Sequence, residues 1–440
     1  MALRQSPDTI VAHASGVGAA AVAVIRVSGP QASVILEALC GGLPEPRVAT
    51  LRAVGPPHWT PIDRGLVLWF PAPASFTGED MAELQVHGSR AVVSEVIEAA
   101  LSLEGVRLAE PGEFVRRAFA NAKIELRQVE GLADLVNAET KLQREQALAQ
   151  AEGIPSARYE AWRQSLLKAQ GLVEAELDFA DEAAVGAGIA EQATAIVAAL
   201  IAELDATLQG RGERLRAGVR IVIAGLPNAG KSSLMNALAR RDVAIVSHEA
   251  GTTRDVIEVH LDLGGLPVTL VDTAGLRDAA SSIEAEGIAR ALSRAEDADL
   301  LLWIVDAVSP VWKPPTSLAE KPRIVVLNKI DLAPDGKSEG DVIVSAKTGQ
   351  GLEQLLARLE QEASSATDEG AGGALMTRAR HRVELEGARD ALVRFRDAEA
   401  APELKAEELR VAARHLGRLT GRIDVEDVLG EIFSEFCIGK

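Results

Sequence analysis

The sequence predicts a multi-domain protein of α+β and α/β class, in which an α/β domain is inserted into a discontinuous helical domain. Three observations support this prediction. The chain has 440 residues, enough for about three domains of ~150 residues each. Its composition shifts near residues 120, 215 and 368. Between the last two positions, strand-like and helical patterns alternate, which is typical of a parallel α/β sheet.

Charge and composition argue against several classes of protein. The formal net charge is −18, so a general nucleic-acid coat protein is not expected, because phosphate binding needs a basic face. A local basic patch remains compatible with this charge. Aromatic residues make up 3% of the chain, which leaves few rings for stacking many bases. Hydrophobic residues at 47% and charged residues at 25% are typical of a soluble globular protein.

Cysteine content and hydropathy indicate the expected compartment. Cys40 and Cys437 are the only cysteines, so a disulfide framework is not expected and a reducing cytoplasm is the default. No apolar run reaches the ~18 residues that a membrane span requires. The segment Ala19–Ile25 looks superficially like part of a signal peptide, but Asp8 and Arg26 interrupt that pattern and we interpret the region as strands.

The first 120 residues are predicted to form the N-terminal α+β domain. Short β-rich runs are interspersed there with glycine, proline and a few helical stretches. The strand-like runs are Thr9–Ala12, Val22–Val27, Gly65–Phe70 and Glu83–Val86.

The helical domain is predicted to consist of residues 121–215 and 369–440, with the α/β domain at 216–368 inserted between them. The small, glycine-rich stretch Ser364–Gly373 is predicted to be a linker. Four consecutive domains are the alternative, but a helical tail of ~60 residues alone would bury only a small core. The strand-like runs of the α/β domain are Val219–Ala224, Val268–Val271, Leu300–Val305, Ile324–Leu327 and Val342–Val344.

A phosphate-binding loop is predicted where the first of these runs ends. The run Val219–Ala224 leads directly into Gly225–Ser232, with the glycine, lysine and serine spacing of a P-loop, and then into a helical stretch. Glycines allow backbone N–H groups to surround phosphate oxygens, and the helix N-terminus adds positive potential. Lys231 would reach the β- and γ-phosphates, and Ser232 would ligate Mg²⁺.

Three further segments follow in the order of a GTPase, each after a strand-like run. Asp272-Thr273-Ala274-Gly275 would bring Asp272 near the magnesium and Gly275 near the γ-phosphate. Asn328-Lys329-Ile330-Asp331 offers a carboxylate to the guanine N1–H and amine, a donor pair that adenine lacks. Ser345-Ala346-Lys347 would close over the base. Together the four segments predict a GTPase.

The residues expected to respond to the γ-phosphate depart from the small-GTPase pattern at one position. Thr253, in Gly251–Asp255, is the candidate for a second hydroxyl on magnesium. Leu276 stands where many small GTPases have the glutamine that orients water, so another group must do so. Glu284 and Glu286 are the candidates.

The chain resembles the MnmE (TrmE) family of tRNA modification GTPases along its whole length. The P-loop set alone fits many GTPases, whereas the terminal pentapeptide combined with a Phe-Thr-Gly-Glu-Asp segment is far more restrictive. The residues that carry the resemblance are Gly225–Ser232 with Asn228, Gly251–Asp255, Asp272–Leu276, Phe76–Asp80, Pro111–Phe114 and Phe436–Lys440.

The resemblance implies a potassium-stimulated GTPase whose G domains pair across a homodimer. K⁺ would be bound by the side chains of Asn228 and Thr252 and the backbone carbonyls of Ser247 and Glu249. Glu284 would position water, with Lys231 as the other catalytic residue. Mg²⁺ would be held by Ser232 and Thr253. The full expected GTP-binding set is Asn228, Ala229, Gly230, Lys231, Ser232, Ser233, Ser247, His248, Glu249, Ala250, Gly251, Thr252, Thr253, Asp272, Thr273, Ala274, Gly275, Asn328, Lys329, Asp331, Ser345, Ala346 and Lys347.

The resemblance also implies a folate-binding-like N-terminal domain that mediates dimerisation. A 5-formyltetrahydrofolate-type ligand would be bound by Arg26, Glu83, Lys123 and Lys440. The alternative is that Arg26, Glu83 and Lys123 are ordinary surface charges. Cys437 is expected to point toward the modification site, with a nucleophilic role left open. A purely structural dimerisation domain is the alternative.

The implied activity is the installation of an aminomethyl-type group at carbon 5 of the wobble uridine of certain tRNAs. A flavoprotein of the MnmG (GidA) type, carrying FAD, would be the partner in a heterotetramer or larger complex. The alternative is a ribosome-assembly GTPase, which shares the nucleotide motifs and lacks modification chemistry. A basic strip of four arginines could contact tRNA, or could pair with Glu384, Glu386 and Asp390 on one helix. The four are Arg378, Arg380, Arg382 and Arg389.

Overall fold

The computed structural model divides the chain into two compact units. The first comprises Met1–Ala133, Gln150–Ser156 and Thr420–Lys440, and the second Asp134–Ala149 and Ala157–Leu419. The structure describes residues 8–16, 18–57, 60–178, 183–241, 243–245, 258–272, 298–314, 316–318, 320–333, 340–367, 375–397, 402–421, 432–433, 436 and 439.

The first unit contains a six-stranded sheet in the order β3-β4-β5-β2-β1-β6. Neighbouring strands are antiparallel, except that β1 and β6 are parallel. The four predicted strands are all present. The elements are β1 Thr9–His13, β2 Ala20–Ser28, α1 Ala32–Cys40, β3 Thr50–Val54, β4 Asp63–Phe70, β5 Met81–Gly88, α2 Arg90–Leu101, β6 Val106–Leu108 and α3 Glu113–Ala120.

One face of this sheet is covered by α1 and α2. On the other face, Phe114 of α3 covers Ile10 and Ala12 of β1, whereas the surface at β3 and β4, here called the open face, is exposed. On β4, Gly65, Val67 and Trp69 are buried, while Leu66, between Gly65 and Val67, is 40% exposed, which is the alternation expected of a half-buried strand. Helices α1 and α2 pack against the buried face through side chains such as Leu36 and Val96. The residues of the open face are therefore available for other contacts.

A chain of helices follows the first sheet. They are α4 Leu126–Asn137, α5 Lys141–Ala151, α6 Ile154–Asp178, α7 Ala183–Leu208 and α8 Gly212–Ala217. Helix α8 ends at Ala217, Gly218 forms its C-cap, and the second sheet begins at Val219.

The second sheet has the order β12-β11-β10-β7-β9-β8 and confirms the five predicted strands. The prediction of a purely parallel sheet is wrong at one edge, because β8 runs antiparallel to β9. Strand β8 was not predicted, because Glu258, His260 and Asp262 alternate with its apolar residues and leave no continuous apolar run. The elements are β7 Val219–Gly225, α9 Lys231–Ala239, β8 Glu258–Leu263, β9 Leu266–Asp272, β10 Leu300–Asp306, β11 Arg323–Asn328, β12 Val342–Ile343 and α10 Leu352–Thr367.

Helices from both sides of this α/β region share one hydrophobic core. Helices α11 Ala379–Asp397 and α12 Pro402–Leu419 contribute Leu392 and Leu409, which join Trp162 of α6 and Val197 of α7. The residue ranges assigned to the four domain segments stay a prediction.

The linker prediction needs one correction, because helix α10 continues through Thr367 and includes the first residues of Ser364–Gly373. Serine and alanine there are compatible with a helix once leucines upstream anchor it in the core. Among the described residues, no helix is both long and apolar enough to cross a membrane.

Candidate nucleotide-binding site

The phosphate loop lies between β7 and α9, as the sequence predicts. Helix α9 begins at Lys231, and Gly230 before it has φ of +92°, a conformation that favours glycine. Asn228 also lies in the left-handed region, with φ of +64°. The first backbone N–H groups of α9, which have no partner within a helix, therefore follow directly on the loop, in the arrangement that binds phosphate.

Lys231 and Ser232 present a cation and a hydroxyl at this helix start. The Lys231 ammonium donates to the carbonyl oxygens of Gly225 and Leu226, at 3.0 and 3.1 Å. Burial lowers the pKa of Lys231, while the nearby Asp272 acts in the opposite direction. The Ser232 hydroxyl donates to Oδ2 of Asp272 at 2.8 Å, and Asp272 is fully buried at the end of β9. Hydroxyl and carboxylate oxygens are ligands that Mg²⁺ prefers, so this pair fits a magnesium ion.

The predicted guanine-binding segments lie side by side and contact the phosphate loop. The buried Asn328 amide donates to the carbonyl oxygen of Ala229 at 2.9 Å, and its Oδ1 accepts from the N–H of Ala346 at 3.1 Å. Oδ1 of Asp331 accepts from the Ser345 hydroxyl at 2.7 Å. Asn328 thus joins the phosphate loop to the loop expected to close over the base.

Asp331 is exposed, so its carboxylate can accept hydrogen bonds from a ligand. Lys329 has φ of +66° and forms an ion pair with Asp306 at 2.7 Å. Burial would raise the pKa of Asp306, but the hydrogen bond from Lys329 holds it below its usual value. The ion pair places Lys329 at the end of β10, the strand that pairs with β7, which leads into the phosphate loop.

Two further members of the expected nucleotide set are described, and the others lie outside the described residues. The exposed Ser233 and Lys347 lie next to described site residues. Outside the described residues are the potassium candidates Ser247, Glu249 and Thr252, the switch candidates His248, Ala250, Gly251 and Thr253, the segment Thr273–Gly275, Leu276, and the glutamates Glu284 and Glu286. Those assignments stay predictions.

Two of the four folate candidates lie together in the first unit. Arg26 on β2 faces Glu83 on β5, and its guanidinium donates to Glu83 Oε1 at 3.0 Å. The same guanidinium lies 5.7 Å from the centre of the Phe114 ring and 3.4 Å from the carbonyl oxygen of Gly439. Arg26 is therefore a paired side chain near the C-terminal tail.

Of the other two folate candidates, Lys123 is described, and the contact found for its ammonium group lies away from the Arg26–Glu83 pair. The Lys123 ammonium donates to the carbonyl oxygen of Pro73 at 2.9 Å. Lys440 lies outside the described residues, as does Cys437. The tail itself is anchored in the first unit, because Phe433 and Phe436 share a core with Val115 and Leu126.

Sequence reasoning missed a buried ion network that joins two of the motifs used for the resemblance. Glu113, which is 1% exposed, accepts from Arg107 at 2.5 and 2.8 Å and from Arg117 at 3.1 Å. Arg117 also donates to Glu79 at 3.1 Å. Burial would raise the pKa of Glu113, but these cations and the N–H of Glu110 lower it to about 2. The one sign of this network in the sequence is that two of its members, Glu79 and Glu113, lie in the motifs Phe76–Asp80 and Pro111–Phe114.

Most of the predicted basic strip is engaged within the second unit. An expected partner on the same helix is found for Arg389, which contacts Asp390 at 2.6 Å. The other pairs reach across to different helices, because α11 packs against its neighbours and half-buried guanidinium groups need carboxylates there. These pairs are Arg378–Asp134 at 2.9 Å, Arg382–Glu213 at 2.8 Å and Arg389–Asp205 at 2.9 Å.

The fold and the site define a guanine-nucleotide-binding protein of the P-loop class. Two family models match the chain: the GTP-binding protein TrmE N-terminus over residues 9–123, and the MnmE helical domain over residues 126–437. The chain belongs to the MnmE (TrmE) family.

Full-length relatives and one solved structure accompany these matches. The tRNA modification GTPase MnmE of Beijerinckia indica subsp. indica is 52% identical over 436 residues, covering 98% of this chain and 96% of the relative. That of Mesorhizobium japonicum is 50% identical over 444 residues, covering 99% and 100%. The G domain of the T. maritima FeoB iron transporter is 29% identical, covers 34% of this chain and 98% of its own, and has a TM-score of 0.24.

Proposed function

We propose that this chain hydrolyses GTP in order to modify tRNA, and that potassium stimulates the hydrolysis. With a flavoprotein of the MnmG (GidA) type, which carries FAD, it would install an aminomethyl-type group at carbon 5 of the wobble uridine of certain tRNAs. The observation that carries the GTPase assignment is the Ser232–Asp272 pair beside Lys231, with Asn328 joining the same loop to the base-binding segments. The tRNA assignment is supported by relatives of the same length that are named for that activity.

In the proposed hydrolysis, Lys231 and the N-terminus of α9 hold the phosphates and Asp331 selects guanine. Mg²⁺, held by Ser232 and Thr253, would neutralise charge on the β- and γ-phosphates when bound. K⁺, bound by Asn228, Thr252, Ser247 and Glu249, would act where other GTPases place an arginine. Glu284 would orient the attacking water, a task for which Leu276 has no hydrogen-bonding group.

The potassium and glutamate assignments are tested separately. GTP turnover is measured in KCl and in NaCl at equal ionic strength, and faster turnover in KCl is expected, whereas equal rates would remove the cation mechanism. Glu284→Ala should lose turnover while keeping GTP affinity. Glu286→Ala is the matched control, and a loss confined to this second variant would transfer the role to Glu286.

The folate assignment is supported by the Arg26–Glu83 pair, because a guanidinium suits the carboxylates of a folate tail and a carboxylate suits the donor face of a pterin. Lys123 and Lys440 would complete the set. Titration of the full chain with 5-formyltetrahydrofolate tests it, with Arg26→Ala expected to weaken binding and Arg64→Ala, on β4 of the same sheet, as the control. An unchanged affinity in Arg26→Ala would favour a purely structural N-terminal domain.

Homodimer formation is supported by the open face of the first sheet. Leu51 and Leu66 are register partners on β3 and β4, and their side chains are 65% and 40% exposed. These adjacent leucines form an exposed apolar patch, and a contiguous apolar patch of sufficient area marks an interaction site. Light scattering of Leu51→Glu against the unaltered chain tests the assignment, with dissociation expected. The flavoprotein would join the dimer in a heterotetramer or larger complex, in the cytoplasm.

The complete function is tested by mass spectrometry of wobble nucleosides from cells that lack this chain. Loss of the carbon-5 group is expected, with recovery on expression of the unaltered chain and not of Glu284→Ala. Unchanged nucleosides together with intact GTP turnover would contradict the modification role and favour a GTPase switch in ribosome assembly.

A further inference from the structure

The β8–β9 hairpin connects, along the chain, the two stretches expected to respond to the γ-phosphate. Strand β8 begins at Glu258, shortly after Thr253, and β9 ends at Asp272, whose carboxylate contacts Ser232. The strands pair in continuous antiparallel register from Glu258–Val271 to Leu263–Leu266. Because every residue of β8 is paired to β9, a displacement at the nucleotide end of either strand is carried to the turn.

The far end of this hairpin contacts a helical segment of the same unit. A β-carbon at Gly265 in the turn, where φ is +90°, would lie 3.0 Å from Cγ of Leu142, the second residue of α5. Leu142 packs against the core of the α/β sheet. Beside it, His260 on β8 lies 2.9 Å from Glu139 through Nδ1 and Oε2. The turn of the hairpin thus lies close to Leu142, and the His260–Glu139 contact joins β8 to the same segment.

The same segment also holds the chain on both sides of the α/β region. Oδ1 of Asp134 accepts from Nε of Arg216 at 2.7 Å and from Nη2 of Arg378 at 2.9 Å. Arg216 precedes the P-loop strand β7 by three residues, and Arg378 precedes α11 by one. Gln143 donates to the carbonyl oxygen of Arg216 at 3.0 Å. The carboxylate of Asp134 therefore contacts the chain both where it enters the α/β region, at Arg216, and where it leaves that region, at Arg378.

A polar cavity of about 210 Å³ lies at this junction and leaves room for rearrangement. Its lining includes Asp134, Gln143, Gln146 and Arg216. A polar space of this size can hold several water molecules, which can exchange hydrogen bonds with these side chains when the segment shifts. The junction therefore offers polar side chains and space for water where the cores on either side are apolar.

We propose that residues 134–146 form a coupling segment, which receives the nucleotide state of the P-loop through the β8–β9 hairpin. Glu139 and Leu142 are positioning residues that shift when the hairpin shifts, because they lie against it. Asp134 holds the segment to Arg216 and Arg378. The proposal rests on the proposed GTP binding, and it assigns to this segment the transfer of that signal to the helices. The energetic requirement is that the Glu139 and Leu142 contacts differ between the GTP and GDP states.

Hydrogen–deuterium exchange of the full chain tests the proposal, with peptides that cover 138–149 followed in GDP and in a non-hydrolysable GTP analogue. The unaltered chain is expected to show different exchange in the two nucleotides. Glu139→Gln and Leu142→Ala should each reduce that difference by about half or more, with GTP affinity unchanged, because contacting residues share a coupling energy. Glu145→Gln is the matched control, since Glu145 lies on the same helix and its ion pairs within the described part of the chain are with its neighbours Lys141 and Arg144, at the exposed surface and away from the hairpin contacts.

Two results overturn the coupling segment: equal exchange in both nucleotides in the unaltered chain, or a full difference retained in both variants. Glu139→Gln removes one charge from an exposed side chain, so it remains informative where Leu142→Ala unfolds. A chain that fails to bind GTP at all would instead contradict the proposed function. The affinity measurement therefore separates the two failures.

Discussion

Replacement of Glu113 by glutamine should destabilise the first unit, by an amount that follows from the pKa of this side chain. Glu113 is 1% exposed and accepts hydrogen bonds from Arg107, Arg117 and the N–H of Glu110. Burial alone would raise its pKa, but these donors lower it from 4.5 to about 2. Glutamine has the shape of the protonated acid, so it removes the charge that the arginines stabilise.

The pKa shift converts to ~3 kcal/mol of unfolding free energy at pH 7, since one pKa unit corresponds to about 1.4 kcal/mol. The folded pKa lies below the unfolded one, so this stabilisation is complete above about pH 5 and is lost as the pH falls toward 2. The difference between Glu113 and glutamine should therefore shrink to ~2 kcal/mol at pH 3.5. If the difference in unfolding free energy between Glu113→Gln and the unaltered chain is the same at pH 7 and pH 3.5, the effect does not come from charge.

Native-state hydrogen exchange of peptides from β1 and β6 is the assay, because a chain with two compact units has no single free energy of unfolding. Glu95→Gln is the control, since Glu95 is exposed on α2. A Glu113→Gln effect below about 1 kcal/mol at pH 7 would refute the reasoning, because removing one partner of a buried ion pair normally costs more.

Three predictions concern the nucleotide site. Asp331→Asn should weaken the affinity for GTP by about 100-fold or more and favour xanthosine triphosphate, because one acceptor oxygen facing the base becomes an N–H donor. Competition binding with both nucleotides checks this. Ser232→Ala should remove the dependence of GTP affinity on Mg²⁺ and leave thermal stability nearly unchanged, as measured in magnesium and in EDTA. Gly230→Ala should abolish nucleotide binding in a folded chain, because φ there is +92° and a β-carbon would collide with the Asn328 amide; circular dichroism and nucleotide titration together distinguish this from unfolding.

The places of the described nucleotide motifs in the fold were predictable because each motif carries local chemistry at a strand end. Gly225–Ser232 specifies a loop and a helix start by itself, and Asp272 follows an apolar run. The ion network was not predictable, since Glu79, Arg107 and Glu113 are ordinary charges until the fold removes them from water. Strand β8 was missed for a related reason: it is an edge strand with one polar face, so its sequence lacks the apolar run that identified the central strands.

The arginines of the expected basic strip bear on how a chain with a net negative charge could act on tRNA, whose phosphate backbone is also negative. Arg378 is 11% exposed and shares Asp134 with Arg216, so removing its charge would leave a carboxylate poorly compensated at the crossing of the chain. Arg382 and Arg389 likewise neutralise Glu213 and Asp205. A guanidinium already paired with a carboxylate adds little net positive potential for a phosphate backbone. With a net charge of −18, these pairs favour a division of labour in which the proposed flavoprotein supplies most of the phosphate contacts and this chain supplies the nucleotide-driven motion.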